Sequence, residues 1–159
     1  MIPAEMVRRL ELDALYADYA HCLDNDALEE WPDFFTDDGR YRITTAENVE
    51  QGLPLSIVYA TSRAMLRDRV KALREANIYE AQRYRHILGP ARIEFGPDGT
   101  LHARTSFMVA RIMHTGETAL FATGSYRDRI AQDGEAARFA ERTVILDSRQ
   151  IDTLLAIPL

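Results

Sequence analysis

A single cysteine, Cys22, serves a chain of 159 residues. It cannot close an internal disulfide, nor supply the two or four thiolates that iron–sulfur clusters require. On a predicted helix, with no basic neighbour in sequence to lower its pKa, it reads as a small buried hydrophobe and not as a nucleophile. Histidine is scarce as well: His21, His86, His102 and His114. A mononuclear iron centre of the two-histidine, one-carboxylate type needs its ligands to converge. His21 has Asp24 nearby but no second imidazole. His102 and His114 fall near opposite ends of one predicted strand, too far apart at about 3.3 Å per residue to share an ion. There is no glycine-rich phosphate loop and no Gly-x-Ser-x-Gly elbow. No apolar run nears the ~20 residues that cross a bilayer. The N-terminus, MIPAEMVRRLELDALY, carries charges where a signal peptide needs its apolar stretch, so a cytoplasmic protein is expected. Positive charge is in deficit, the formal net charge being −6. That field opposes capture of nucleic acid or an anionic membrane, and neither is expected as a partner.

What is present is organised around Tyr16 to Ile43. Leu12, Tyr16, Tyr19 and Leu23 recur at three- and four-residue steps, the face of an amphipathic helix predicted over Ala4–Leu23 behind Pro3. A weaker row, Val7, Leu10, Ala14 and Ala17, predicts cover on a second side. Asp24-Asn25-Asp26 breaks the pattern. Asp26 with Glu29 resembles a capping box, so a second helix is expected from Ala27, with Trp31, Phe34 and Phe35 as its buried aromatics and a kink or tightened turn at Pro32. Thr36-Asp37-Asp38-Gly39 reads as an exit turn, and a strand is expected from Tyr41. Thr44 to Pro54 reads as a loop and Leu55–Tyr59 as a short extended segment. Thr61 or Ser62 caps a third helix reaching about Glu75, with Met65, Leu66, Val70 and Leu73 facing inward. Its other side carries Arg63, Arg67, Lys71 and Arg74, either a solvated face or a contact for an acidic surface.

From Arg83 the hydrophobic period changes to two. RYRHILGPARIEF, LHARTSFMVARIM, TALFATGSYRDRI and AARFAERTVILDS read as strands. Asp98-Gly99 and Asp133-Gly134 are hairpin dipeptides, both residues expected at positive φ, with Thr115-Gly116 as a weaker third turn. These links make a four-stranded antiparallel meander of strands long enough to coil. Gly89-Pro90 suggests a bend inside the first. The chain is therefore read as one α+β domain over residues 1–159, N-terminal helices packed on a long, strongly curved antiparallel sheet. The apolar tail Leu154–Leu159 is expected to dock on its own fold or on a neighbour.

A curled sheet with helices in its mouth can hold acid–base chemistry. Asp24, Tyr16, Arg85 and His86 are the residues a stand-alone lyase or isomerase would use. Each has an ordinary structural alternative: a turn or helix-terminus carboxylate for Asp24, a hydrogen-bonded strand histidine for His86, a core aromatic for Tyr16.

Three motifs carry a resemblance: WPDFFTDDGRYRI (Trp31–Ile43), SRAMLRDRVKAL (Ser62–Leu73) and RYRHILG (Arg83–Gly89). On these the chain resembles the small (beta) subunits of aromatic-ring-hydroxylating dioxygenases. LREANIYE (Leu73–Glu80), FMVARIMHTGET (Phe107–Thr118) and DTLLAIPL (Asp152–Leu159) extend the likeness over nearly the whole chain. They are similar to the branch acting on carboxylated rings, terephthalate first, with salicylate and anthranilate as alternatives. The resemblance implies the cystatin-like, nuclear-transport-factor-2-like cone fold and a structural role. It also implies a large (alpha) oxygenase partner that holds a Rieske 2Fe–2S cluster and a mononuclear Fe(II), in an alpha3beta3 hexamer served by an NAD(P)H-dependent reductase. It transfers no catalytic, cofactor or metal residue to this chain. For contact with the large subunit the sequence offers arginine–aromatic clusters, the residue types that anchor interfaces: Arg83, Tyr84, Arg85 and His86 first, then Arg63 and Arg67.

Overall fold

The computed structural model of the protein describes residues 1–76, 80–150 and 157–159. Helix α1 spans Ala4–Asp24 and buries Leu12, Tyr16, Tyr19 and Leu23, the face its periodicity predicts. Val7 and Leu10 are exposed, as are Ala14 and Ala17, so the second row is left uncovered by this chain.

The expected second helix does not form. Asp26 adopts φ 58°, the left-handed region, where an N-cap needs extended backbone. Its carboxylate and that of Glu29 are taken by Arg74, at 2.7–3.1 Å. The chain makes only a 3-10 turn over Trp31–Phe34, tightened by Pro32 in its first residues. Strand β1 begins at Phe35, before the expected start, and runs to Thr45. The anticipated exit turn at Thr36–Gly39 is instead a bulge within it: the register on its neighbour jumps from Phe35 against Phe139 to Arg40 against Glu141. Gly39 is required there, since a Cβ would lie 2.8 Å from the Phe35 Cβ and the Thr36 carbonyl.

The stretch read as a loop holds a short helix, α2 (Ala46–Glu50), because the Thr45 hydroxyl accepts the Asn48 N–H at 3.2 Å. Strand β2 is brief, Val58–Ala60. In α3 (Arg63–Ala76) Ser62 caps the start by accepting the Met65 N–H. Leu66 and Val70 are buried and Leu73 packs against the core, but Met65 faces out.

The period-two segments become β3 (Gln82–Leu88), β4 (Arg92–Phe95), β5 (Leu101–Met113), β6 (Thr118–Asp133) and β7 (Ala136–Leu146). The bend at Gly89-Pro90 splits the first long run into β3 and β4, both antiparallel to β5. Glycine turns join β4 to β5 to β6 to β7. Gly99, Gly116 and Gly134 carry positive φ, but Asp98, Thr115 and Asp133 do not, so the turns are not of the doubly positive type. The sheet order is β2-β1-β7-β6-β5-β3. Its β1–β7 pairing is parallel, so the sheet is mixed and not purely antiparallel. The concave face closes over α1 and the 3-10 turn, with Leu28, Trp31, Phe35, Tyr126, Ile130 and Phe139 fully buried between the layers. Within the described part of the tail, Ile157 and Leu159 are buried in this same core. Leu154–Ala156 lie outside the described residues.

Candidate functional site

Asp24 is the last residue of α1, where a carboxylate opposes the helix dipole and contributes nothing as a cap. Its position is explained by β3. The His86 backbone N–H donates to both carboxylate oxygens at 3.2 and 3.0 Å, and His86 Nδ1 lies 2.6 Å from Oδ1. A carboxylate facing Nδ1 places the proton on that nitrogen. Nε2 is buried with no hydrogen-bond partner among the described residues. Arg85 stands 3.9 Å from Asp24 Oδ2 at the rim. A cleft of about 280 Å³ runs along this junction, bordered by Tyr16, His21, Asp24, Arg85 and His86. The structure thus brings together Asp24, Tyr16, Arg85 and His86, the set singled out from sequence.

Deeper in the cone lies a charged network that the sequence reading missed. Arg142 Nε and Nη2 donate to the two oxygens of Asp128 at 2.9 and 2.8 Å, and both side chains are wholly buried. The Tyr16 hydroxyl donates to the same carboxylate. Aromatic rings surround the guanidinium: its carbon lies 3.8 Å from the Tyr126 centroid, 4.1 Å from Phe139 and 4.3 Å from Tyr19. Burial disfavours the charged form of Arg142, but the Asp128 carboxylate outweighs it and holds the pKa well above its ordinary value. Burial first, and then the Asp128 charge, raises the Tyr16 phenol. Burial does the same for Tyr19, Tyr41 and Tyr126. The signal for Asp128 was its strand parity: in Tyr126-Arg127-Asp128-Arg129-Ile130 it shares the inward face with Tyr126 and Ile130. Arg142 is masked by the β-bulge that shifts the register between Arg129 and Ile130.

The interior is closed at its base by the chain's own tail. Tyr19 and Tyr41 hydroxyls donate to the Leu159 oxygen at 2.9 and 3.0 Å, the Leu159 N–H donates back to Tyr41 at 3.0 Å, and Trp31 Nε1 donates to Tyr19. Cys22 is buried against the Ala27 carbonyl; burial, helped by Glu30 and Glu29, pushes its thiol up to about 12, the state of a structural cysteine. Among the described residues no three His, Cys, Asp or Glu side chains converge as metal ligands.

The residues offered as partner contacts divide. Tyr84 and His86, expected as surface anchors, instead point into the core, because alternation along β3 turns them inward. Arg83 and Arg85 project from the opposite, exposed face of β3. Arg63 donates to the Phe35 carbonyl and to Asp37, so it fastens α3 to the bulge of β1. Arg67 faces Asp33 at 3.5 Å. The basic stripe of α3 is therefore matched by acids of this same chain.

The pattern described as "Ring hydroxylating beta subunit" matches residues 19–153. The chain is 49% identical over 154 residues to the terephthalate 1,2-dioxygenase terminal oxygenase component subunit beta 1 of Comamonas sp., covering 97% of this chain and 100% of that one. It is 38% identical over 155 residues to the anthranilate 1,2-dioxygenase small subunit of Burkholderia cepacia, covering 98% and 96%. A crystal structure assigned to the beta subunit of an aromatic-ring-hydroxylating dioxygenase from Novosphingobium aromaticivorans superposes with a TM-score of 0.90 at 38% identity, over 99% of this chain and 100% of that one.

Proposed function

This chain belongs to the ring-hydroxylating dioxygenase beta-subunit family, and we propose that within it the chain is a non-catalytic scaffold for a large oxygenase subunit that turns over a carboxylated aromatic ring. A beta subunit of such a dioxygenase implies an alpha oxygenase partner. The Rieske cluster and the mononuclear iron belong to that partner in this reading. The donor set here does not fit them: one cysteine cannot provide two thiolates. Three chains of each kind and an NAD(P)H-dependent reductase complete the assembly, in the cytoplasm. No helix among the described residues is long and apolar enough to cross a membrane. Terephthalate is the substrate class that the 49% relative supports, and anthranilate is the alternative that the 38% relative supports; salicylate rests on the motif resemblance alone.

The observation that carries the scaffold reading is the sealed interior. The space a substrate would need inside the cone is filled by Arg142 and its aromatic cage, and the base is shut by Leu159. A second reading, acid–base turnover at the rim, is favoured by one observation, the Asp24–His86 contact. Yet three hydrogen-bond contacts occupy the Asp24 carboxylate, and the imidazole is itself fully buried, so Nε2 meets no substrate atom without movement of α1 or β3. The two readings separate in activity per assembled complex. The chain is co-expressed with its large subunit and assayed on terephthalate, anthranilate and salicylate. For Asp24→Asn and His86→Gln, turnover per complex is expected to stay within roughly twofold, whereas removing a general base costs ~10²–10⁴-fold. A loss of that size with the complex and its iron intact would overturn the scaffold reading.

A further inference from the structure

The outer face of the sheet, away from α1 and α3 and flanked by α2, carries a row of arginines in register across its strands. Arg92 of β4 pairs with Arg104 of β5, Arg104 with Arg127 of β6, Arg127 with Thr143 of β7, and Thr143 with Arg42 of β1. Adjacent strands lie about 4.8 Å apart, so Arg92, Arg104 and Arg127 stand side by side, with Arg42 beyond Thr143, and like charges directly opposite one another destabilise a sheet. The next row is different: Glu94, His102, Arg129 and Glu141 mix both signs.

Several other arginines of this chain are paired with its acids. Arg63 meets Asp37, Arg67 meets Asp33, Arg74 meets Asp26 and Glu29, and Arg142 meets Asp128. Among the described residues, Arg42, Arg92, Arg104 and Arg127 form no ion pair and no side-chain hydrogen bond, although the whole chain is acidic at −6. They border an open groove of about 900 Å³. Farther along the same face, Ile87 and Met108 stand opposite each other in the β3–β5 register and Leu120 lies diagonal to them, exposed at 56%, 42% and 60%. Arginines beside exposed aliphatic anchors is the composition of a protein interface.

Resting on the family reading above, we infer that this outer sheet face is where the chain docks on its large oxygenase subunit, through an acidic surface of that subunit set against the Arg92–Arg104–Arg127–Arg42 row. The arginine row supplies the complementary charge and Ile87, Met108 and Leu120 the apolar anchors. A second copy meeting this face with its own is a poor occupant, because a two-fold contact would set arginine row against arginine row. A small anion is a poor one too, because enclosed sites bury most of their ligand, and the side chains of Arg92, Arg104 and Arg127 stand exposed. Nucleic acid is opposed by the net charge.

The test uses the full chain co-expressed with its tagged large subunit, and compares wild type, Arg104→Glu/Arg127→Glu and Lys71→Glu on the far side of the molecule. The double variant is expected to lower co-purification on the order of tenfold or more, and to flatten the salt dependence of assembly. Lys71→Glu is expected to assemble as wild type. In the double variant the carboxylate at position 104 faces Arg92 on one side, and the carboxylates at 104 and 127 oppose each other as the two arginines did, so the isolated chain keeps its thermal stability, which separates an interface defect from misfolding. Assembly of the double variant equal to wild type at every salt concentration would overturn the assignment. So would loss of self-association, by sedimentation of the isolated chain, with binding to the large subunit intact. A wild-type chain that folds and never co-purifies with the large subunit would overturn the family-based scaffold reading, and this inference with it.

Discussion

Arg142 and Asp128 meet inside the cone as a bidentate ion pair with no exposed side-chain surface on either partner. They sit on neighbouring strands, β7 and β6, directly opposite each other in register. The Tyr16 hydroxyl joins the same carboxylate from α1, so one buried charge pair ties helix to sheet.

Removing one partner leaves the other as an uncompensated buried charge. Asp128→Ala is expected to cost about 3–5 kcal/mol, and replacing both partners by apolar residues of similar volume, Arg142→Met with Asp128→Leu, is expected to recover most of it. Urea unfolding of the single and double variants reads this directly. A double variant as damaged as the single one would show that the aromatic cage needs the guanidinium itself and not merely charge balance.

The tail is internal packing as well as a terminus. Deleting Ile157–Leu159 removes two buried aliphatic side chains and the partners of Tyr19 and Tyr41. At ~1.5–3 kcal/mol for each aliphatic side chain and about 1 kcal/mol for each hydrogen bond, the isolated chain should lose several kcal/mol. Thermal unfolding at fixed concentration measures it. An unchanged midpoint, with only the oligomeric state altered, would assign the tail to contacts between chains instead.

Stability is expected to fall at alkaline pH. Tyr16, Tyr19, Tyr41 and Tyr126 have folded pKa values raised above that of a free phenol, and Cys22 is raised to about 12. A raised folded pKa gives stability that is complete below the unfolded value. It is lost as pH climbs through the window between the unfolded and folded values. The unfolded thiol titrates from about 8.5 and the unfolded phenols from about 10. Within that window each group still protonated only in the fold removes roughly 1.4 kcal/mol per pH unit. Urea midpoints between pH 7 and 11 should therefore be level at first and then drop steeply. Ionisation of any of these four phenols before unfolding, followed residue by residue by NMR, would contradict their buried, neutral state.

Much of this architecture was legible because it is local. The three- and four-residue spacing of Leu12, Tyr16, Tyr19 and Leu23 marks α1 almost to the residue. Alternation marks β5, and glycines mark the turns, because both report backbone geometry over a few bonds. Asp24 and His86 were singled out from composition, and the structure brings them to 2.6 Å. Local rules failed where a distant group competed. Asp26 and Glu29 look like a capping box until Arg74, on α3, takes both carboxylates. Tyr84 and His86 looked like surface anchors until alternation met the actual sheet and turned them inward.

The sequence by itself determined the elements and the chemistry available: one thiol, scattered imidazoles, alternating strands, an acidic balance and the motifs of a dioxygenase beta subunit. Tertiary structure alone decided which polar groups are buried and which charges go unpartnered. The parallel β1–β7 pairing joins residues about a hundred positions apart. Such a pairing has no local signature, since its stability comes only after the intervening chain has been ordered. That pairing sets Arg42 at the end of the row with Arg92, Arg104 and Arg127, and it closes the cone in which Arg142 finds Asp128. Each of these outcomes is a sum of contacts between strands, and sequence neighbours carry no record of it.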